Sequence, residues 1–401
     1  MHIKFQPQDK KNIFILAVCQ GLSTSDKSIM ILISGLVGVV LAEDKSLATL
    51  PVTATWLGAL LMTVPASFVM KWTGRKIGFQ IGATLSLFGA LLASYAIWSS
   101  SFILLLAGTF ISGLSGGFSQ FFRFAAADSV VPSLKPQAIS LVLTGGIIAA
   151  LIGPKLAHWT TDLFTVAFLG AYLTQALMAV LSFFMLIFLK IPKPTQEEVY
   201  GYTRPMLTII AQPIFIIALL ASVMAYGIMS LIMTATPLAM NGCGFGLSDS
   251  AMVIQWHLIA MFVPSFFTGN IIKKFGTVRV IYCGLLLLAC SSVIALNGLM
   301  VEIFFIALFM LGLGWNFAFV GGSTLLTESY RPAEKAKVQA FNDLFVMSCV
   351  AISSALSGGL LYKLGWDSLH WLAIPLSLFT ILIIYFLNKD DLLMVKSAQQ
   401  S

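Results

Sequence analysis

The sequence predicts an all-α polytopic membrane protein of 12 transmembrane helices, arranged as two six-helix bundles with both termini cytoplasmic. Three observations carry that expectation. Only 10% of the 401 residues are charged and 58% are hydrophobic, whereas a soluble domain carries roughly 25% charged residues. Apolar runs of about 20 residues, the length a spanning helix needs, recur along the whole chain. Apart from one, the polar connections between these runs are only a few residues long. The ten-residue alternation of a membrane β-barrel is absent, and a helix satisfies every backbone amide within its own segment.

Taken in order, the runs fall at about 12–40, 47–70, 77–98, 102–131, 137–161 and 164–189, then at 206–239, 247–272, 279–300, 302–328, 337–362 and 369–387. The longest polar connector, "KIPKPTQEEVYGYTRP" from Lys190 to Pro205, divides the chain into a bundle at 1–189, a linker at 190–205 and a second bundle at 206–401. The distribution of basic residues sets the orientation. With a cytoplasmic N-terminus, all of the 23 Lys and Arg fall on the cytoplasmic side except Lys45 and Lys363 in outer loops and Lys27, Arg123 and Lys155 within spans. The first apolar run is too long for the core of a secretion signal and no small-residue cleavage site closes it, so no cleavable leader is expected.

Composition also excludes several functions. The net charge of +7 comes from short basic clusters between spans, so no nucleic acid is expected as a partner. Four of the five cysteines (Cys19, Cys283, Cys290 and Cys349) lie in apolar runs and Cys243 lies alone in a loop, which is neither a disulfide framework nor a metal site. The four histidines (His2, His158, His257 and His370) form no HExxH, and neither a nucleophile elbow nor a phosphate-binding loop occurs. No enzymatic activity and no cofactor are expected.

The halves repeat weakly. "KWTG" (Lys71 to Gly74) aligns with "KKFG" (Lys273 to Gly276) at a shift of 202, and "AAADSVVP" (Ala125 to Pro132) with "LLTESYRP" (Leu325 to Pro332) at a shift of 200. Such repeats mark transporters that rock two bundles around a midplane site. The chain resembles the major facilitator superfamily over nearly its whole length. That family's loop signature, G-x-x-x-D-R-x-G-R-[RK], is met by "SFVMKWTGRK" (Ser67 to Lys76), which keeps Gly74, Arg75 and Lys76 but carries Lys71 and Trp72 for the Asp-Arg pair. The second copy, "GNIIKKFGTV" (Gly269 to Val278), again has lysine where the family has the acid that latches the bundles. "GGIIAALIGP" (Gly145 to Pro154) resembles a reduced glycine-proline signature of family exporters, or serves as small-residue packing. Thr109 stands four residues before Gly113, where drug exporters of the family carry arginine. Lys71, Gly74, Arg75, Gly153 and Pro154 are therefore the expected gate or conformational positions, with Asp128, Glu328 and Asp343 near the cytoplasmic helix ends.

Charges inside spans cost about 2.5–3.5 kcal/mol each at the helix centre, so each needs a reason. "STSDKS" (Ser23 to Ser28) puts Asp26 and Lys27 about 14 residues into span one, ~21 Å along it. Gln20, Ser23, Thr24, Lys27 and Ser34 share one helix face, with Asp26 just off it. In span four, "SQFFRFAAAD" holds Gln120 and Arg123, the latter ~13 Å from the Pro132 end. The resemblance implies that spans one, four, seven and ten line the cavity, so Asp26, Lys27 and Arg123 would share a hydrated space with positive charge in excess. The alternative is a structural ion pair of Asp26 with Arg123 or Lys27. The second half contributes Tyr226, which stands opposite Asp26 in the repeat, together with Trp315, Asn316 and His257.

The expected function is that of a proton-coupled secondary transporter, working by alternating access on an organic solute with an anionic group. Asp26 is the expected proton site. Lys27, Arg123, Gln20, Gln120, Tyr226, Trp315, Asn316 and His257 are the expected substrate-binding residues. Competing readings are a proton-driven exporter of amphiphilic compounds and a transporter-like receptor or scaffold. The expected partners are a small-molecule substrate, protons and the lipid bilayer, and the chain is expected to act as a monomer in a bacterial inner membrane.

Overall fold

A computed structural model describes residues 5–43, 47, 50–161 and 163–398, leaving aside the side chains of residues 31, 32, 35, 36, 39, 154, 157, 158, 247, 248, 251, 362 and 389–398. Each of the twelve apolar runs is helical. Cα proximity divides the chain into unit 1, residues 1–202 with 339–344, and unit 2, residues 203–338 with 345–401. The N-terminal part of the chain forms α1 (Pro7–Leu41), α2 (Leu50–Thr73), α3 (Arg75–Trp98), α4 (Phe102–Ser119), α5 (Phe122–Asp128), α6 (Lys135–Leu143), α7 (Gly146–Thr161), α8 (Leu169–Ile187) and the short α9 (Gln196–Tyr200). There follow α10 (Met206–Ile210), α11 (Pro213–Gly242), α12 (Leu247–Phe262), α13 (Ser265–Phe275), α14 (Thr277–Ala295), α15 (Val301–Leu326), α16 (Lys335–Leu364) and α17 (Trp366–Ala398). Among the described residues, ten helices are long and apolar enough to cross a membrane, or up to 11 if a pair bent by 40° counts as one span. Large apolar side chains such as Phe14, Trp98, Phe184 and Phe379 are exposed on the helix surfaces, as suits a protein whose solvent is lipid.

Several runs expected as single helices are broken, two of them at prolines. The fourth divides at Gln120–Phe121 into α4 and α5, and the fifth at Thr144–Gly145 between α6 and α7. The seventh is interrupted before Pro213, which opens α11 at a position where its missing amide hydrogen costs nothing. The eighth is the pair bent at Pro264. There Asn316 of α15 donates from Nδ2 to Met261 O at 2.6 Å and to Ser265 Oγ at 2.5 Å. It also accepts from Thr268 Oγ1 at 2.6 Å. A side chain three bonds deep in the break supplies partners that the interrupted helix cannot.

The internal repeat is visible in the backbone. Gly74 and Gly276, paired by the shift of 202, have φ of 88° and 89° and each starts the next helix. Left-handed φ is cheap only for glycine. Likewise the short 3₁₀ turns Pro132–Leu134 and Pro332–Glu334 precede α6 and α16 at a shift of 200. In the connector, Arg204 grips buried Glu334 through Nε at 2.8 Å and Nη2 at 2.6 Å, and Lys337 Nζ donates to Arg204 O. This two-pronged geometry is specific to guanidinium and carboxylate.

Helices in unit 1 approach closely because glycines remove the intervening side chain. A Cβ on Gly89 would lie 2.3 Å from Ser112 N and 2.7 Å from Gly108 O, so α3 and α4 touch backbone to backbone. A Cβ on Gly145 would sit 1.9 Å from Ala17 O of α1. The leading glycine of "GGIIAALIGP" is thus consumed by packing against α1. Where lipid provides no hydrophobic drive between helices, such contact is a main source of cohesion. Gly89→Leu is expected to cost about 1–3 kcal/mol by overpacking, read as a lower melting temperature and poorer monodispersity in detergent. Gly358→Ala, at a site with nothing within 4 Å of the added Cβ, is expected to change stability by less than about 0.5 kcal/mol.

Candidate functional site

The polar stripe of α1 lines two recesses in unit 1. The first is walled by α1, α3, α4, α5 and α8, with Ser23, Asp26, Ser86, Ser115, Ser119 and Ser182 as its polar groups. The second lies among α1, α2 and α4, and Asp26, Lys27, Trp56 and Ser112 line it. Asp26 and Ser115 belong to both. Asp26 is 7% exposed, and its Oδ1 is buried with no hydrogen-bond partner among the described residues. Lys27 Nζ donates to Ser119 Oγ at 3.1 Å. Gln175 of α8 holds this level of α1 by donating from Nε2 to the Asp26 carbonyl at 2.9 Å. A buried carboxyl with an open acceptor, set among hydroxyls and next to an amine, can bind and release a proton or orient a polar solute.

Arg123 lies elsewhere. It lines neither recess, and the pair with Asp26 that the sequence left open is not the one that forms. Arg123 Nη2 donates to Asp343 Oδ1 at 2.5 Å, Nη1 donates to Gln120 O at 2.8 Å, and the guanidinium covers the Phe124 ring at 4.3 Å. Asp343 also accepts from Asn342 Nδ2 at 2.8 Å. Arg123 and Asp343 are 3% and 1% exposed, so the pair is a desolvated one in which each charge faces its opposite. The expected positive excess beside Asp26 is therefore not assembled: Arg123 is neutralised by Asp343, and Lys27 alone faces Asp26.

A second arginine network involves Arg75, at the start of α3. Its Nε pairs with Asp128 Oδ2 at 3.0 Å, its Nη2 donates to Gln339 Oε1 at 2.6 Å, and it lies 5.6 Å from the centre of the Phe121 ring. Of the expected gate residues, Arg75 and Asp128 thus meet each other and Asp343 meets Arg123. Lys71 is half-buried, Gly74 makes the left-handed turn, and Glu328 is exposed at the end of α15. Gly153 packs on α1, since a Cβ there would lie 3.2 Å from Ser28 Cβ. The side chain of Pro154 lies outside the described residues.

In unit 2, Trp315 is 1% exposed and stacks on Phe319 at 5.0 Å. Tyr226 stands edge-on to Trp315 at 5.1 Å and to Phe319 at 4.7 Å, and Phe262 edge-on to Trp315 at 5.7 Å. The Trp315 Nε1 donor is buried with no partner among the described residues. Asn316, by contrast, has both ends of its amide committed to the α12–α13 break. His257 is fully buried, with Nδ1 2.7 Å from Leu308 O. Gln20 is turned along its own helix, donating to Thr24 Oγ1 at 3.1 Å. Ser86, Ser119, Ser182, Gln175, Gln339 and Asn342 were not singled out from the sequence. Their signal was present as polar side chains inside apolar runs, but hydroxyls and amides are too common there to stand out as ions do.

A family model for the Major Facilitator Superfamily matches residues 16–263 and 218–400. The riboflavin transporter RfnT of Brucella anthropi is 40% identical over 370 residues, covering 92% of this chain and 93% of its own length. The purine ribonucleoside efflux pump NepI of Escherichia coli is 26% identical over 348 residues, covering 86% and 85%. Among solved structures, the human organic anion transporter MFSD10 (TETRAN) matches with a TM-score of 0.74 at 12% identity, over 94% of this chain and all of that one. FucP in its outward conformation matches with a TM-score of 0.74 at 17% identity, over 94% and 98%. These two structures show the shared fold. The protein is a multi-pass membrane transporter and not an enzyme, and the chain belongs to the Major Facilitator Superfamily.

Proposed function

We propose that this secondary transporter carries riboflavin, or a solute of the same build, across a bacterial inner membrane by alternating access coupled to protons. Both termini are placed in the cytoplasm and the working unit is a monomer. The observation that carries the reading is the 40% identity to a riboflavin transporter over more than nine-tenths of both chains. A second relative named for purine ribonucleosides shares the chemistry: a flat nitrogen heterocycle joined to a five-carbon hydroxylated unit. Such a solute needs aromatic faces for the ring and hydroxyl or amide partners for the tail. Trp315 and Tyr226 are the proposed ring contacts, the first having an indole N–H to spare. Within unit 1, Lys27 is separately proposed as a substrate-binding residue, with hydroxyl partners beside it.

An organic anion remains a second reading, favoured by Lys27, whose ammonium is bonded to a neutral hydroxyl rather than a carboxylate. Arg123 no longer supports it, because Asp343 occupies its guanidinium. Arg123 and Arg75 are instead proposed as conformational residues. Asp26 is proposed as the proton site, since its open acceptor oxygen gives an arriving proton a place that no protein donor already fills.

Four outcomes test this reading. Riboflavin at about 100 times its Kd should stabilise the purified protein by about 2.7 kcal/mol, seen as a raised melting temperature. Trp315→Ala should weaken riboflavin binding at least about fivefold, since stacking on one aromatic is worth about 1–3 kcal/mol; unchanged affinity would remove the ring contact. In proteoliposomes, Asp26→Asn should lose at least about nine-tenths of pH-gradient-driven transport while keeping solute exchange, as expected when a single protonatable group couples the fluxes. Full gradient-driven transport by that variant defeats the proton assignment. Arg123→Met should destabilise the fold by about 3–5 kcal/mol through an orphaned Asp343, and adding Asp343→Leu should recover most of the loss. If the double variant is no more stable than the single, the pair is not what holds this region.

A further inference from the structure

The two recesses at Asp26 run in opposite directions. In the first, α1 contributes Cys19 to Asp26, α3 Phe79 to Ser86, the α4–α5 segment Ser115 to Phe122, and α8 Met178 to Leu186. Every wall covers eight or nine residues, seven or eight steps of the helix, or about 10–12 Å at 1.5 Å per residue. The register is antiparallel where it should be: Cys19 Sγ meets Ser182 O, Gln175 meets the Asp26 carbonyl, and Gly82 packs on Phe118 while Gly89 packs on Ser112. Asp26, Ser86, Ser115 and Met178 therefore mark one end of this recess. Cys19, Phe79, Phe122 and Leu186 mark the other, where α3 begins and α8 ends.

The second recess continues the other way. On α1 it takes Asp26 to Met30, and on α4 it takes Ser112 to Gly116, each extending away from the first recess. On α2 it takes Val52 to Ala59, reaching the end at which α2 begins. Gly113 packing on Thr55 and Gly117 on Met62 confirm that α2 and α4 run in the same direction. At the junction stand Asp26 and Lys27. The Lys27 stem lines the second recess, while its ammonium reaches Ser119, which lines the first. Of all residues lining either recess, Cys19, Asp26 and Lys27 are titratable, and the walls supplied by α2, α3, α4, α5 and α8 carry no charge.

We propose that unit 1 contains two half-channels for water and protons inside its own helix bundle, opening toward opposite membrane faces and separated by the Asp26–Lys27 step. Serine hydroxyls along the first wall can both donate and accept, as a proton relay requires, and they stand with Asp26 among otherwise largely apolar side chains. Asp26 Oδ1, buried and without a partner among the described residues, is the acceptor at which both half-channels end. The proposal deepens the proton-coupled reading and rests on it for its use. It accounts for a carboxyl and an amine side by side in the first span: the first holds the proton and the second blocks its uncoupled passage.

The test is sided chemical access. In the full-length chain with its native cysteines replaced, Phe79→Cys and Ser182→Cys report the first half-channel, and Val52→Cys and Trp56→Cys report the second. Sealed membrane vesicles of both orientations are treated with a small membrane-impermeant thiosulfonate. The expected result is that the first pair reacts at least tenfold faster from the face where α3 begins, and the second pair at least tenfold faster from the opposite face. Reaction of both pairs from one face, or of neither above the cysteine-free background, overturns the proposal. Two reporters on each side keep the test decisive if one variant fails to fold. Access does not depend on whether Asp26 carries the coupled proton, so failure here is distinguishable from failure of the Asp26→Asn transport test.

Discussion

The organisation of unit 1 follows from one constraint: a carboxyl and an amine at Asp26 and Lys27 are held in the interior of an apolar helix bundle. Water is the cheapest medium for either group, and removing it costs several kcal/mol unless something replaces it. Here the replacements are hydroxyls. Ser119 takes the lysine, Ser86 and Ser115 stand in the wall near the acid, and Gln175 fixes the backbone beneath it. None of these partners carries a charge, so neither ion is locked into a permanent pair by a third group. A transporter needs charges that can change partners, and a hydroxyl-lined recess permits that where a saturated ion pair does not.

The other buried charges are arranged on the opposite principle. Arg123 with Asp343, Arg75 with Asp128 and Arg204 with Glu334 are matched pairs at or below 3.0 Å, each reinforced by a side-chain amide or backbone group. Breaking such a pair leaves an uncompensated ion, so its geometry is held firmly until both partners move together. The acid of the family's loop signature is replaced by Lys71 here, but Arg75 is retained and finds its carboxylate in Asp128. The start of α3 is thus tied by an ionic contact to the end of α5.

Close packing makes these arrangements possible. Glycine at Gly89, Gly108 and Gly145 lets backbones touch, fixing α3 against α4 and the start of α7 against α1, while the bonds of Cys19 to Ser182 and of Gln175 to Asp26 mark the register of α1 and α8. The breaks in the spans serve the same end. A straight eighth helix would leave Asn316 without the free carbonyl at Met261, and an unbroken fourth span would turn Arg123 away from α16. Irregular backbone at membrane depth is tolerated where it is buried in protein, and the partners of Asn316 show how that condition is met.

The sequence by itself determined the class, the number of apolar runs, the internal repeat and the suspicion that Asp26, Lys27 and Arg123 matter. These are carried by composition, by segment length and by the cost of charge in hydrocarbon, which are local properties. Only the tertiary structure decided who meets whom. Arg123 and Asp343 are 220 residues apart, and nothing within either segment distinguishes Asp343 from Asp26 as the partner. Asn316 and Trp315 are neighbours in sequence, yet one is spent on mending a helix and the other keeps an open donor, because successive residues on a helix point about 100° apart. The recesses around Asp26 were equally hidden, since they are built from serines that become meaningful only when four helices align them. Pairing across the fold depends on helix register, and register is set by backbone contacts that no single segment encodes.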